Sequence, residues 1–116
     1  MTGAPSAGQD FGGQDIILLT GQARKASDLL KALSHETRLL ILWLLSEDEK
    51  SVSELEDLLA LPQATVSQQL ARLRLDDLVS TRREGRMIHY SITNPEVSAV
   101  VRTLYELLCG PEKRDR

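Results

Sequence analysis

From Asp15 onward, apolar residues recur at three- and four-residue steps: Ile16, Leu19, Ala23, Ala26, Leu30 and Leu33. That spacing predicts a first amphipathic helix. Ser34 offers a hydroxyl to cap a second helix over about 35–46, which is apolar nearly all round its second half and so belongs at the centre of a fold. After the charged turn Glu47–Lys50, Ser51-Val52 is too short for an independent strand but long enough to pair with a later hairpin. Ser53-Glu54-Leu55-Glu56 reads as a capping box that opens a third helix ending near Ala60. Leu61-Pro62-Gln63 breaks it, with Pro62 suited to the first position of a fourth helix. That helix runs to about Asp76 and carries Val66, Leu70 and Leu73 on one stripe.

The pattern then changes period. Leu78–Arg83 and Arg86–Ile92 are rich in Val, Thr, Ile and Tyr, and Ile88, Tyr90 and Ile92 alternate with Met87, His89 and Ser91. Glu84-Gly85 between them signals a turn, so the two stretches predict a β-hairpin. Asn94-Pro95-Glu96 supplies a cap, a first-turn proline and a dipole-favoured acid for a last helix. Its stripe is Val97, Val100, Val101, Leu104, Leu107 and Leu108, and Gly110-Pro111 stops it. The expected fold is mostly α with a small β-hairpin, in the order α-α-α-α-β-β-α. Two short helices joined by a tight turn and followed by an arginine-tipped hairpin describe a winged helix-turn-helix.

Composition places limits on this reading. A chain of 116 residues accommodates one domain, expected over 15–110. Residues 1–14 hold four of the seven glycines and almost no large apolar side chain, so they read as a disordered tail; 111–116 read as a solvated one. The longest apolar run, Leu39–Leu45, is far below the roughly 20 residues of a bilayer-spanning helix, and no secretory signal is recognisable. A single Cys forms no internal disulfide, in keeping with a reducing cytoplasm.

Charge is unevenly placed. Residues 44–60 carry six carboxylates against Lys50, a net of −5, whereas 62–92 carry five arginines against three carboxylates, a net of +2. An acidic whole does not prevent a local arginine-rich face from meeting phosphates. At 100° per residue, Thr65, Gln68 and Arg72 project opposite the apolar stripe of the fourth helix, and Gln63, Ala64 and Ser67 flank its start. A major groove admits one helix, and its N-terminal residues meet base edges. Gln68 suits bidentate pairing with adenine; Thr65 and Ser67 suit phosphate or base contacts, and Arg72 suits guanine or phosphate. Arg82, Arg83 and Arg86 at the wing suit backbone and minor groove. The rival is a winged helix used for protein–protein contact, which would carry apolar anchors in those places. An enzyme is not expected: the sequence offers no nucleophile–base pair, phosphate-binding glycine loop or metal cluster, and no cofactor is implied.

Leu30-Lys31-Ala32-Leu33-Ser34-His35-Glu36-Thr37-Arg38-Leu39-Leu40-Ile41-Leu42 closely resembles the signature of the ArsR/SmtB family. Ser53-Glu54-Leu55, Thr65-Val66-Ser67-Gln68-Gln69-Leu70, Leu78-Val79 and Arg82-Arg83-Glu84-Gly85-Arg86 resemble its recognition segment and wing, so the similarity spans about 16–109. It implies a homodimeric transcriptional repressor, paired through its first and last helices and bound to an inverted-repeat operator in double-stranded DNA. Two terminal amphipathic helices with little partner surface in a small domain suit the same pairing. Asp77 stands where the family commonly has Gly, and Leu75 where it is usually polar.

The family's metal motifs are missing: the third helix lacks paired cysteines, and His35 and His89 lie on different elements. His35 reads as a helix-start polar residue and His89 as a solvent- or DNA-facing wing residue. The wording around Cys109 looks like the sulfide- and redox-responsive branch, in which a Cys on the second helix bridges to one at the end of the last. Cys109 matches the second of these, and Trp43 stands in place of the first. An intramolecular bridge is therefore chemically closed. Three fates remain open for Cys109: an inert, partly buried thiol; single oxidation or persulfidation by a thiol-reactive inducer; or a bridge to its symmetry mate. Trp43 reads either as core or as the wall of a pocket.

Overall fold

A computed structural model of the chain describes residues 13–110, which hold five helices and a three-stranded sheet. The chain divides into two units at Lys31/Ala32. The first is helical: α1 (Gly13–Leu33) begins two residues before the expected start, and the rest of the expected tail lies outside the described residues, as do 111–116. Ile16, Ile17, Leu18 and Leu30 of α1 are 54–81% exposed. Only at its end, at Ala32 and Leu33, is α1 buried.

The second unit contains α2 (Glu36–Leu45), β1 (Lys50–Ser51), α3 (Val52–Leu59), α4 (Gln63–Leu75), β2 (Val79–Glu84), β3 (Met87–Ile92) and α5 (Pro95–Leu108). Its core is aliphatic: Ile41, Leu42, Leu55, Val66, Leu70, Leu73 and Val101 have no exposed surface. As expected from its all-round apolarity, α2 is central, touching α3, α4, α5 and β3. The expected α4 stripe is wholly buried, and burying each such aliphatic side chain stabilises by about 1.5–3 kcal/mol.

Helix ends depart from expectation in three places. The residue preceding α2 is His35, extended and without a side-chain cap bond, so Ser34 is not the cap. The capping box of α3 is Ser51/Glu54 rather than Ser53/Glu56. Its cause is β1: Ser51 pairs with His89, which holds it extended, so the helix starts at once and Ser53 already lies inside it. Glu54 N–H then donates to Ser51 Oγ at 3.2 Å, and Ser51 N–H to Glu54 Oε1 at 2.8 Å. Pro62 is the extended residue before α4 and not its first helical one.

Among the described residues two non-glycine residues adopt positive φ, Ala60 (56°) at the end of α3 and Asp77 (59°) after α4. Around Asp77, Leu78 N–H donates to Leu73 O (2.9 Å) and Asp77 N–H to Arg74 O (3.0 Å). This is a Schellman stop, with Leu78 packed down beside Leu73. The last helix is capped as expected: Val97 N–H donates to Asn94 Oδ1 at 2.9 Å, with a first-turn proline. Gly110, beyond its end, has φ of 69°. Leu107 and Leu108 there are 75% and 62% exposed.

The sheet order is β1-β3-β2, all antiparallel. Val79↔Ile92 through Glu84↔Met87 pair in register, leaving Gly85-Arg86 as a two-residue turn. Gly85 has φ of 63° while Arg86 does not enter the positive region, as the II′ turn requires. Ser51-Val52 was read as able to join this hairpin; the joining strand is Lys50–Ser51, one residue earlier.

Candidate nucleic-acid interface

Burial of Val66, Leu70 and Leu73 turns the opposite face of α4 outward. Gln68 and Arg72 on that face are exposed and Thr65 is half-buried beside them; of the residues flanking the helix start, Gln63 is exposed and Ser67 half-buried. Leu61 in the preceding turn is half-buried, and Leu75 at the helix end is 78% exposed. Arg72 Nε lies 3.3 Å from Asp76 Oδ2, one helical turn on. A single-contact exposed pair of this kind contributes little.

A link that sequence reasoning missed orients this helix. Arg38 of α2 donates from Nη1 to Gln69 Oε1 (3.1 Å) and from Nε to Ala32 O (2.9 Å). One half-buried guanidinium thus ties α4 to the end of the preceding helix. Arg38 stood inside the quoted family signature, but nothing local in the sequence pairs it with a residue 31 positions later.

The three wing arginines have different surroundings. Paired residues share a face, so Arg82 lies with His89, and Arg83 with Ile88 on the other side. Arg82 bonds Glu49, through Nε at 3.1 and 3.3 Å and through Nη2, and its Nη2 stands 3.6 Å from Glu84. The Arg82 hydrogen bond holds the Glu49 carboxyl below its ordinary range, and Glu49 in return raises Arg82. Arg83 and Arg86 are exposed and make no ion pair among the described residues. His89 is not the open wing residue expected. Its side chain is 15% exposed, with Nε2 3.3 Å from Glu84 and Nδ1 3.9 Å from Glu49. No acceptor completes a hydrogen bond at the buried Nε2.

Trp43 is half-buried, donates from its indole N–H to Val101 O (2.6 Å), and meets Tyr105 edge-on at 6.1 Å. It is not part of the buried core: it packs against α5 and lines an open groove of about 400 Å³ with Leu40, Leu44, Leu58, Leu59 and Tyr105. Cys109, a free and partly buried thiol, sits one turn beyond Tyr105 as the residue closing α5. Among the described residues no group of three His, Cys, Asp or Glu side chains is placed to hold a metal ion, and no helix is long and apolar enough to cross a membrane.

A helix with a polar outer face, fixed on a buried core and followed by a basic-tipped hairpin, is the reading head of a winged helix-turn-helix DNA-binding protein. Residues 35–81 match the model of the bacterial regulatory protein, arsR family. The chain is similar to the transcriptional activator HlyU of Vibrio cholerae, 46% identical over 73% of this chain and 79% of that protein. It is also similar to the biofilm growth-associated repressor of Xylella fastidiosa, 41% identical over 80% of this chain and 82% of that one. The crystal structure of HlyU from Vibrio vulnificus superposes with a TM-score of 0.77 at 41% identity, over 82% of this chain and 99% of that one. The chain belongs to the arsR family: it is a DNA-binding transcriptional regulator and not an enzyme.

Proposed function

We infer that the protein is a cytoplasmic repressor that binds an inverted-repeat operator as a homodimer. Gln63, Thr65, Ser67, Gln68 and Arg72 of each α4 enter a major groove, and wing arginines grip the flanking backbone. The observation that carries this reading is the division of α4 into a fully buried stripe and an exposed Gln68/Arg72 face. Pairing is supported by exposed Ile16, Ile17, Leu18 and Leu30 on α1 and Leu107 and Leu108 on α5, apolar side chains that a second copy would cover. Half-sites then lie about one helical turn, roughly 34–36 Å, apart, so a shift of a few Å between subunits forfeits one set of contacts.

The test is fluorescence anisotropy on an operator recovered by selection from a random duplex library. Gln68→Ala should lose about 1–3 kcal/mol of discrimination at one base pair per half-site. Unaltered preference across single-base variants removes Gln68 from base reading. Release by an inducer acting on the Cys109 thiol is tested by comparing Cys109→Ser with wild type after polysulfide and after peroxide. Equal release of both proteins ends the thiol reading.

A further inference from the structure

The wing is electrostatically two-faced. On one face Arg82 lies between Glu49 and Glu84, with His89 beneath, so this side carries a net negative charge when His89 is neutral. On the other face Arg83 stands beside Ile88 and makes no ion pair among the described residues, and Arg86 occupies the tip. Glu49 is not part of the hairpin. It precedes β1, on the far side of β3 from β2, so Arg82 spans about 10 Å across the middle strand to reach it. The acidic segment 44–60 and the basic segment 62–92 thus meet through this ion pair.

We propose that Glu49 keeps Arg82 off the DNA backbone and so confines phosphate contact at the wing to Arg83 and Arg86. The inference rests on the wing meeting DNA. Phosphate neutralisation is the sequence-independent part of affinity, and each contact adds about 0.9 to the slope of log K against log salt. Withholding one arginine per wing lowers affinity for operator and arbitrary DNA alike while leaving base reading by α4 untouched, so a larger share of operator binding comes from the recognition helix. Arg82 then acts as a brace, fixing the pitch of β2 against the turn before β1, and its charge is spent within the protein.

The experiment measures binding of the full chain to a random-sequence duplex and to the selected operator between 50 and 200 mM salt. With two wings per homodimer, Glu49→Gln should steepen both slopes by about 1.8. It should tighten binding to both duplexes at low salt and leave the operator-to-random ratio unchanged. Arg82→Ala should leave the slopes at their wild-type values, and the double variant Glu49→Gln/Arg82→Ala should return to them. A misfolded fraction lowers the active concentration but not the slope, so a structural defect does not mimic these results. An unchanged slope in Glu49→Gln, or an Arg82→Ala slope shallower by about 1.8, overturns the proposal. Arg83→Ala and Arg86→Ala test the reading beneath it: if both keep the wild-type slope while operator binding persists, the wing is not a phosphate contact at all.

Discussion

Replacing Asp77 by Gly should stabilise the protein, because the stop after the recognition helix holds an L-residue at φ of 59°. Left-handed backbone costs an L-residue about 1–2 kcal/mol, with Asp near the lower end because its short polar side chain tolerates the region. Asp77 also places a negative charge at the negative end of α4, unfavourable by about 0.3–1 kcal/mol. Glycine relieves both but gains about 0.4–1 kcal/mol of unfolded-state freedom. The net expectation is a gain of about 1 kcal/mol, or roughly 4–8 °C in midpoint for a domain near 100 residues. Asp77 is exposed and its backbone bonds to Arg74 and Leu73 remain available, so no packing term obscures the comparison. Urea melts followed by circular dichroism, at one fixed protein concentration because dimerisation shifts the midpoint, provide the measurement. Asp77→Asn separates the charge term from the backbone term, and Asp77→Ala should fall below wild type. The order Gly, Asn, Asp, Ala in decreasing stability is required; an Asp77→Ala protein as stable as Asp77→Gly refutes the strain argument.

Leu70→Ala, at a site with no exposed surface between α4 and the rest of the core, should cost about 2–5 kcal/mol in the same urea assay. A loss below 1 kcal/mol would mean that the stripe is not packed as described. Asn94→Ala removes the acceptor for Val97 N–H and should cost about 1 kcal/mol, with Asn94→Ser recovering most of it. Because Arg82 holds the Glu49 carboxyl below its ordinary value of 4.5, that pair's contribution is complete above this pH and disappears as pH falls through the lower folded value. The stability gap between wild type and Glu49→Gln should therefore close on acidification from pH 6 to 3, and narrow in high salt because the pair is exposed. A gap independent of pH contradicts the pairing.

What was legible in the sequence was the periodic part. The α4 stripe, the hairpin alternation and the Asn94-Pro95 start each rest on a local rule, and each appears at its place in the fold. What misled was local chemistry overridden by a distant partner. Ser53 and Glu56 satisfy the capping-box spacing as well as Ser51 and Glu54 do. Only pairing with His89, 38 positions on, selects Ser51 by holding it extended. The wing arginines were indistinguishable for the same reason. Their separation depends on strand faces and on Glu49, 33 positions before Arg82, and no window centred on the wing contains it. The left-handed stop at Asp77 was signalled only by the family resemblance, which puts Gly there, and that at Ala60 not at all.

The same distinction bears on how the reading head is held. α2 carries two long-range polar bonds: near its start Arg38 reaches Gln69 of α4, and near its end Trp43 reaches Val101 of α5. Arg102 adds a third tie, donating to Ser46 O just beyond α2 at 3.2 Å. Leu42 and Ile41 between them are fully buried, so α2 has no apolar slack along which α4 and α5 could slide independently. In the relatives' redox branch, as the sequence resemblance has it, sulfur chemistry would join α2 to the end of α5. Here Trp43 fills the α2 position and bonds α5 through its indole N–H, so the two helices are fastened without any oxidant. With one Cys in the chain, oxidation has no α2–α5 bond to make here. What α5 presents outward at its end is Leu107 and Leu108, both exposed, beside the partly buried Cys109 thiol.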